Sequence, residues 1–341
     1  MNTTRIEWAE ATWNPLTGCS PVSRACDHCY AERMARRLAG RWGYPRAPNH
    51  FCPTYQPDRL LDPLRWRKPR RIFIGSMTDL FHVDHKPRQL DRIFAVMLLA
   101  PRHRFLLLTK RPSMAWVYLT APDIAQRVYC AAAEIAGEFY TGPPQKSQFW
   151  PLPHVGLGIT AENQAMADER IPWLRKSPAA LRFVSAEPLL GPLDLTAHLC
   201  PLDSHTIARI DPYNPGAPGR PNHRPYLLPG GIDWIIAGGE TGPGARPTHP
   251  DWFRALHNQA VTRAIPFLFK RWGEWVPQPY RDWTRREYRL LYPPEAPLIA
   301  SDDARPDHLP TAMFRQGRQA RRCGEDRMLY GLRYDQFPEG F

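Results

Sequence analysis

Short runs of branched and aromatic apolar residues recur along this chain, each closed by polar residues or glycine. They are RIFIGSMTD (Arg71–Asp79), HRFLLLTKR (His103–Arg111), HVGLGITAEN (His154–Asn163), LRFVSAEPLL (Leu181–Leu190) and IDWIIAGGE (Ile232–Glu240). Near-continuous apolar character over so short a run is that of a strand buried on both faces. Between them, apolar residues return every third or fourth position over Arg88–Ala100, Gln164–Lys176 and His249–Arg263, the spacing of a helix with one buried face. ATWNPLTGC (Ala11–Cys19) supplies a first strand, and Tyr30 to about Trp42 a first helix.

Strands that alternate with helices predict a parallel sheet with right-handed crossovers. The count is six β/α units. Polar and charged residues stand at the C-terminal end of every strand, which is where a barrel carries its chemistry, so the expected fold class is α/β, a partial (β/α)6 barrel rather than an open doubly wound sheet. Two stretches break the alternation. His198–Gly231 is rich in Pro, Gly, His and Asn and reads as a surface insertion, and Gln278–Phe341 reads as a C-terminal extension packed on a barrel of residues 1–277.

Composition narrows the function classes. The formal net charge of +12, from 45 Lys and Arg against 33 Asp and Glu, attracts polyanions, with DNA or RNA first and an anionic cofactor second. The opening MNTTRIEWAE has no apolar segment, and the longest apolar run, Ile93–Ala100, is too short to cross a bilayer, so a cytoplasmic protein without a membrane role is expected. Seven cysteines do not make the even framework of a small secreted domain.

Three of the seven crowd into TGCSPVSRACDHCYAERMARRLAGR. Cys26 and Cys29 are separated by two residues, which brings two thiolates to one centre, and the flexible SPVSRA spacer after Gly18 lets Cys19 approach as a third. A four-iron, four-sulfur cluster held by three cysteines keeps one iron open, whereas structural zinc takes a fourth protein ligand, for which Cys52 is the candidate. The helix that follows carries Tyr30, Met34 and Leu38 on one stripe, and its N-terminus favours the negative charge of thiolates or a cluster. Cys130, Cys200 and Cys323 are isolated and read as structural or incidental.

This loop, together with SMTDLFH, LTKRP, ITAEN, RFVSAEPLLGPLDL, WIIAGGETGPGARP and FLFKRWGEW in that order, resembles a phage-associated three-Cys-motif family of unknown function, from about Ile6 to Trp275 with a weaker match at LYGLRYDQFP. That family in turn resembles radical S-adenosylmethionine (SAM) enzymes in the style of spore photoproduct lyases. The resemblance implies a barrel of radical SAM type, a [4Fe-4S] cluster on Cys19, Cys26 and Cys29, a reductant that supplies its electrons, and reductive cleavage of SAM to a 5′-deoxyadenosyl radical. The loop departs from the common radical SAM pattern. Six residues rather than three separate its first two cysteines, and the aromatic Tyr30 follows the last cysteine, with His28 in the place before it.

SAM offers an amino-acid end, a ribose and an adenine, and the strand ends supply candidates for each. Ser76, Thr78 and Asp79 follow the second strand, with Asp79 suited to the ammonium or to capping the next helix. Thr109 and Lys110 follow the third, with Lys110 suited to the carboxylate. Thr160, Glu162 and Asn163 suit ribose hydroxyls or a helix cap, and Glu187 and Glu240 are acids at otherwise apolar strand ends. Gly238 and Gly239 let a ligand approach the backbone. Arg111, Lys270, Arg271 and Trp272 form a basic and aromatic set for phosphates and stacked bases. Two rival functions stay open: a zinc-stabilised nucleic-acid-binding protein, and a metal-dependent hydrolase using Asp79, His82 and His85 from the DLFHVDH run, which also carries Asp84.

Overall fold

The computed structural model describes residues 4, 6–137, 149–199, 230–277, 288–290, 312–315, 328–329, 332–338 and 340–341. Most of the expected insertion at 198–231 and most of the C-terminal extension lie outside them. In chain order the first nine strands are β1 (Ala11–Trp13), β2 (Leu16–Thr17), β3 (Thr54–Tyr55), β4 (Arg71–Ile74), β5 (Arg104–Thr109), β6 (Val155–Thr160), β7 (Leu181–Ala186), β8 (Trp234–Gly238) and β9 (Phe267–Arg271). The helices are α1 (Tyr30–Leu38), α2 (Asp62–Arg65), α3 (Pro87–Leu99), α4 (Pro112–Leu119), α5 (Ile124–Ala136) and α6 (Gln164–Lys176), followed by a helix at Pro250–Thr262.

Seven strands form one all-parallel sheet in the order β1-β4-β5-β6-β7-β8-β9. Each strand pairs with the next one laid down, so every crossover turns the same way and the sheet curls into a half-barrel. The expected six units are present with a seventh strand added, because FLFKR pairs with β8 (Ile235 with Phe267, Ala237 with Phe269). The small β2–β3 ladder (Leu16 with Tyr55) folds the segment after β1 back over the mouth.

Alternation sorts the side chains into two layers. Ile72, Phe105, Leu107, Leu157, Ile159, Val184, Ile235, Phe267 and Phe269 face the helices. Phe73, Leu106, Phe183, Trp234, Ile236 and Leu268 face inward, where Trp8 from the N-terminal segment joins them. The Trp8 ring lies 4.4 Å from Phe73 and 6.1 Å from Phe183. Gly158 makes room for this floor, since a Cβ there would stand 2.3 Å from the Phe183 ring. Phe337, from the C-terminal residues, packs 5.5 Å from Trp234 and closes it from below. Higher up the same strands, alternation turns Thr160, Ser185 and Lys270 inward, so the inner face of the sheet is apolar at its base and polar towards the C-terminal mouth.

On the helix side, His154 is buried, and its Nε2 donates to the Met97 carbonyl at 2.8 Å. Burial pushes its pKa down from 6.5 to about 4, partly opposed by that hydrogen bond. Between these values the unfolded chain binds a proton and the folded chain does not, so stability falls as pH drops from 6.5 towards about 4. The loss for this group amounts to ~3 kcal/mol. Urea denaturation at pH 7 and 4.5 should show this decline, and His154→Gln should remove about that much of the difference. An equal pH dependence in the variant would assign the acid sensitivity elsewhere.

Candidate functional site

The site is assembled at the mouth from the loop that follows β1. Asn14 leaves the strand and joins the turn after β4, donating to Ser76 Oγ at 3.0 Å and accepting from the Met77 amide at 3.0 Å. Gly18 is gripped by the same turn: its amide donates to the Met77 carbonyl, and Thr78 Oγ1 donates to its carbonyl at 2.6 Å. Only glycine fits there, with φ at +86° and a would-be Cβ 2.1 Å from the Cys52 carbonyl oxygen. Cys19 follows at once. Cys26 ends a 3-10 turn (Arg24–Cys26), and Cys29 is the N-cap residue of α1. Three free, partly exposed thiols thus come from one loop beside a helix N-terminus.

This donor set suits a multi-iron cluster, in which each thiolate takes its own iron and the sulfurs need not converge on one point. Among the described residues no three His, Cys, Asp or Glu side chains converge to hold a single ion. Cys52, the candidate fourth zinc ligand, has an exposed side chain, and its backbone buttresses Gly18. Burial pushes the Cys19 thiol above its ordinary value, the Asp79 carboxylate adds to this, and Arg111 opposes it in part. α1 buries its small side, Ala31 and Ala35, against Tyr44 and Met77, while Tyr30 and Met34 stay largely exposed. The Tyr30 hydroxyl donates to the Ser76 carbonyl.

The strand ends are joined by their own hydrogen bonds. Asp79 accepts from Thr109 Oγ1 at 2.7 Å, the Lys110 amide at 2.9 Å and the Phe81 amide at 3.1 Å. It therefore caps the local turn and ties β4 to β5. His82 Nε2 lies 2.8 Å from Ser20 Oγ, and His85 Nε2 3.1 Å from Thr78 Oγ1, so the DLFHVDH run grips the cysteine loop instead of assembling a second metal site. Asn163 caps α6 by accepting from the Met166 amide at 3.1 Å.

Several candidates are placed differently from the expectation. Glu162, 0% exposed, turns to the helix side and pairs with Arg170 at 2.9 Å. Glu240 is forked by Arg246, with Nη2 at 2.6 Å and Nε at 2.9 Å. What approaches Gly239 is the chain itself, since a Cβ there would stand 1.8 Å from the Trp272 carbonyl oxygen, while Gly238 faces Glu187. Trp272 is 2% exposed and packs edge-on to Phe253 and Phe269, so it offers no face to a base. Lys270 pairs with both oxygens of Glu187, at 2.7 and 2.8 Å, and Arg271 with Glu7. Arg111 donates to the Ser20 carbonyl and hydroxyl at 3.0 and 2.8 Å. Arg246 and Glu7 join these contacts although neither is among the sequence candidates. Arg246 had a signal in its position after the glycines of GETGPGARP; Glu7 had none.

Fold and site together define an α/β half-barrel protein with a three-cysteine loop laid across its mouth. The chain belongs to the family described as protein of unknown function (DUF5131), whose model matches residues 3–338. No curated protein matches it. Among solved structures it is similar to a spore photoproduct lyase complexed with dinucleoside spore photoproduct, at 9% identity over 95% of this chain and 74% of that chain, with a TM-score of 0.36. It is also similar to a cysteine-to-alanine mutant of that lyase with the same dinucleoside, at 10% identity over 95% and 73%, with a TM-score of 0.33. So distant a likeness assigns neither substrate nor residue here. Among the described residues no helix is long and apolar enough to cross a membrane.

The burial of Trp272 yields a prediction. Trp272→Ala should destabilise the fold by ~3–5 kcal/mol in chemical denaturation. Any oligonucleotide affinity of the protein that remains folded should be unchanged. A stable variant with weakened binding would return Trp272 to the binding surface.

Proposed function

We propose that this chain is a radical SAM enzyme whose Cys19, Cys26 and Cys29 hold a [4Fe-4S] cluster over the mouth of the half-barrel. The observation that supports it best is the placement of three unpaired thiols, all from one loop, at the polar end of an inner sheet face whose base is packed by Trp8, Phe73 and Phe183. A [4Fe-4S] cluster held by Cys19, Cys26 and Cys29 would supply the single electron that cleaves a carbon–sulfur bond of SAM, giving methionine and a 5′-deoxyadenosyl radical able to take a hydrogen atom from substrate. The protein's own part is to bind, to align and to exclude water. The aromatic floor keeps solvent out from below. In this reading Lys110, beside Asp79, pairs with the SAM carboxylate, and Thr160 meets a hydroxyl. Ser76 and Thr109 act through the hydrogen bonds that set the Asn14 and Asp79 turns. An external reductant completes the electron balance.

The net charge of +12 supports a polyanionic substrate, DNA or RNA. Gel-shift titration should then show affinity falling steeply with salt, for single strands roughly as the 0.7 power per phosphate contacted. Failure to bind any oligonucleotide at low salt would remove the nucleic-acid reading alone.

Anaerobic reconstitution tests the central claim. The wild-type protein should take up iron and sulfide and, with SAM and dithionite, release 5′-deoxyadenosine. Cys19→Ala, Cys26→Ala and Cys29→Ala should each lose the cluster, and Cys130→Ala should keep it. A colourless protein with stoichiometric zinc would favour the zinc-stabilised binding protein instead.

A further inference from the structure

The cysteine loop is held from both sides of the mouth, and the second hold involves a residue with no assigned role. The first hold is local to β4 and β5, where Arg111 and His82 meet Ser20, next to Cys19. The second comes from the loop after β8. Arg246 sets its guanidinium by forking Glu240, which also accepts from the Arg246 amide at 2.8 Å. The remaining donors cross to the cysteine loop: Nη1 reaches Asp27 Oδ2 at 3.0 Å and Nη2 the Arg24 carbonyl at 2.8 Å. Arg24 opens the turn that carries Cys26, and Asp27, its C-cap, lies between Cys26 and Cys29.

The base of this hold is rigid. Gly242 donates to Glu274 at 3.1 Å, and the Trp275 indole donates to the Ala245 carbonyl at 2.7 Å. Gly244 lies against the His28 ring, where a Cβ would stand 2.8 Å from it. The cysteine turn itself is slight, closed by the Cys26 amide on Ser23 and the Asp27 amide on Arg24. A turn that short has little stability of its own, so its geometry is set by what grips it.

We propose that Arg246 is a positioning residue for the Cys26–Cys29 half of the loop, acting through Arg24 and Asp27, with Glu240 as its orienting partner. Its relevance to a cluster rests on the function proposed above; the clasp itself does not need one. Lysine cannot replace it, because a point charge cannot fork one carboxylate while meeting a carbonyl and a second carboxylate.

The test is cysteine-resolved alkylation of the metal-free protein with iodoacetamide, read by peptide mass spectrometry. Arg246→Ala should speed modification of Cys26 and Cys29 about tenfold, the factor expected when a charge-assisted contact holding a local segment is lost. Cys19 and the exposed Cys130 should keep their wild-type rates. Arg246→Lys should behave nearly as Arg246→Ala. Asp27→Asn, at an exposed position that the fold tolerates, should give a smaller rise, and adding it to Arg246→Ala should give nothing further, since both break one contact. Unchanged rates at Cys26 and Cys29 in Arg246→Ala and Asp27→Asn would overturn the proposal, as would an equal rise at all four cysteines with a lowered melting temperature. In reconstituted protein, Arg246→Ala should speed bleaching of the cluster absorbance by a chelator. Alkylation that follows this pattern in a protein unable to take up iron and sulfide would leave the clasp standing and remove the cluster.

Discussion

A buried carboxylate organises this mouth. Asp79 has almost no exposure and spends its two oxygens on three donors, the Thr109 hydroxyl and the amides of Lys110 and Phe81. Buried charge is costly unless it is met in this way, so the turn after β4 and the end of β5 must arrive together. From that junction the contacts spread outwards. Thr78, beside Asp79, holds the Gly18 carbonyl, His85 holds Thr78, and Arg111, two residues after Thr109, reaches Ser20. The position of Cys19 is therefore inherited from the pairing of two parallel strands.

The half-barrel divides its interior by height. Aromatic rings fill the lower part, and the residues that alternation turns inward higher up carry hydroxyls and charges. Glu7, on the segment that brings Trp8 into the floor, reaches Arg271 on the last strand of the sheet. One short N-terminal stretch thus plugs the base and adds a tie to the last strand, whose outer edge also hydrogen-bonds Tyr334 and Gln336.

The strands were legible because parallel strands covered on both faces are nearly continuous apolar runs, and five of them stand within the ranges their sequences define. FLFKR was not, since its apolar part is three residues long and its basic end looks like surface. PSMAWVYL escaped notice as α4 because it is apolar almost all round and has no period to detect. In the site, cysteine spacing was legible because the residue type is rare and its partners are close in sequence. Direction was not. An acid at a strand end reads the same whether it faces a ligand or a structural arginine, and Glu162 and Glu240 each found one, Arg170 and Arg246. Trp272 reads as a stacking residue by its neighbours, yet the chain turns it to the helix side at Phe253.

The strand order also has a bearing on how the molecule is born. Because each strand pairs with the one before it, the sheet can grow from its N-terminal edge while the ribosome is still at work. The thiol-bearing segment emerges near the start, yet Arg246 lies 219 residues beyond Asp27. Until Arg246 is made that segment is tethered on one side only, and its second fastening is delivered by a loop far along the chain. Any inorganic guest at those thiols would therefore reach its final surroundings only once the loop after β8 has been made and has docked on Asp27.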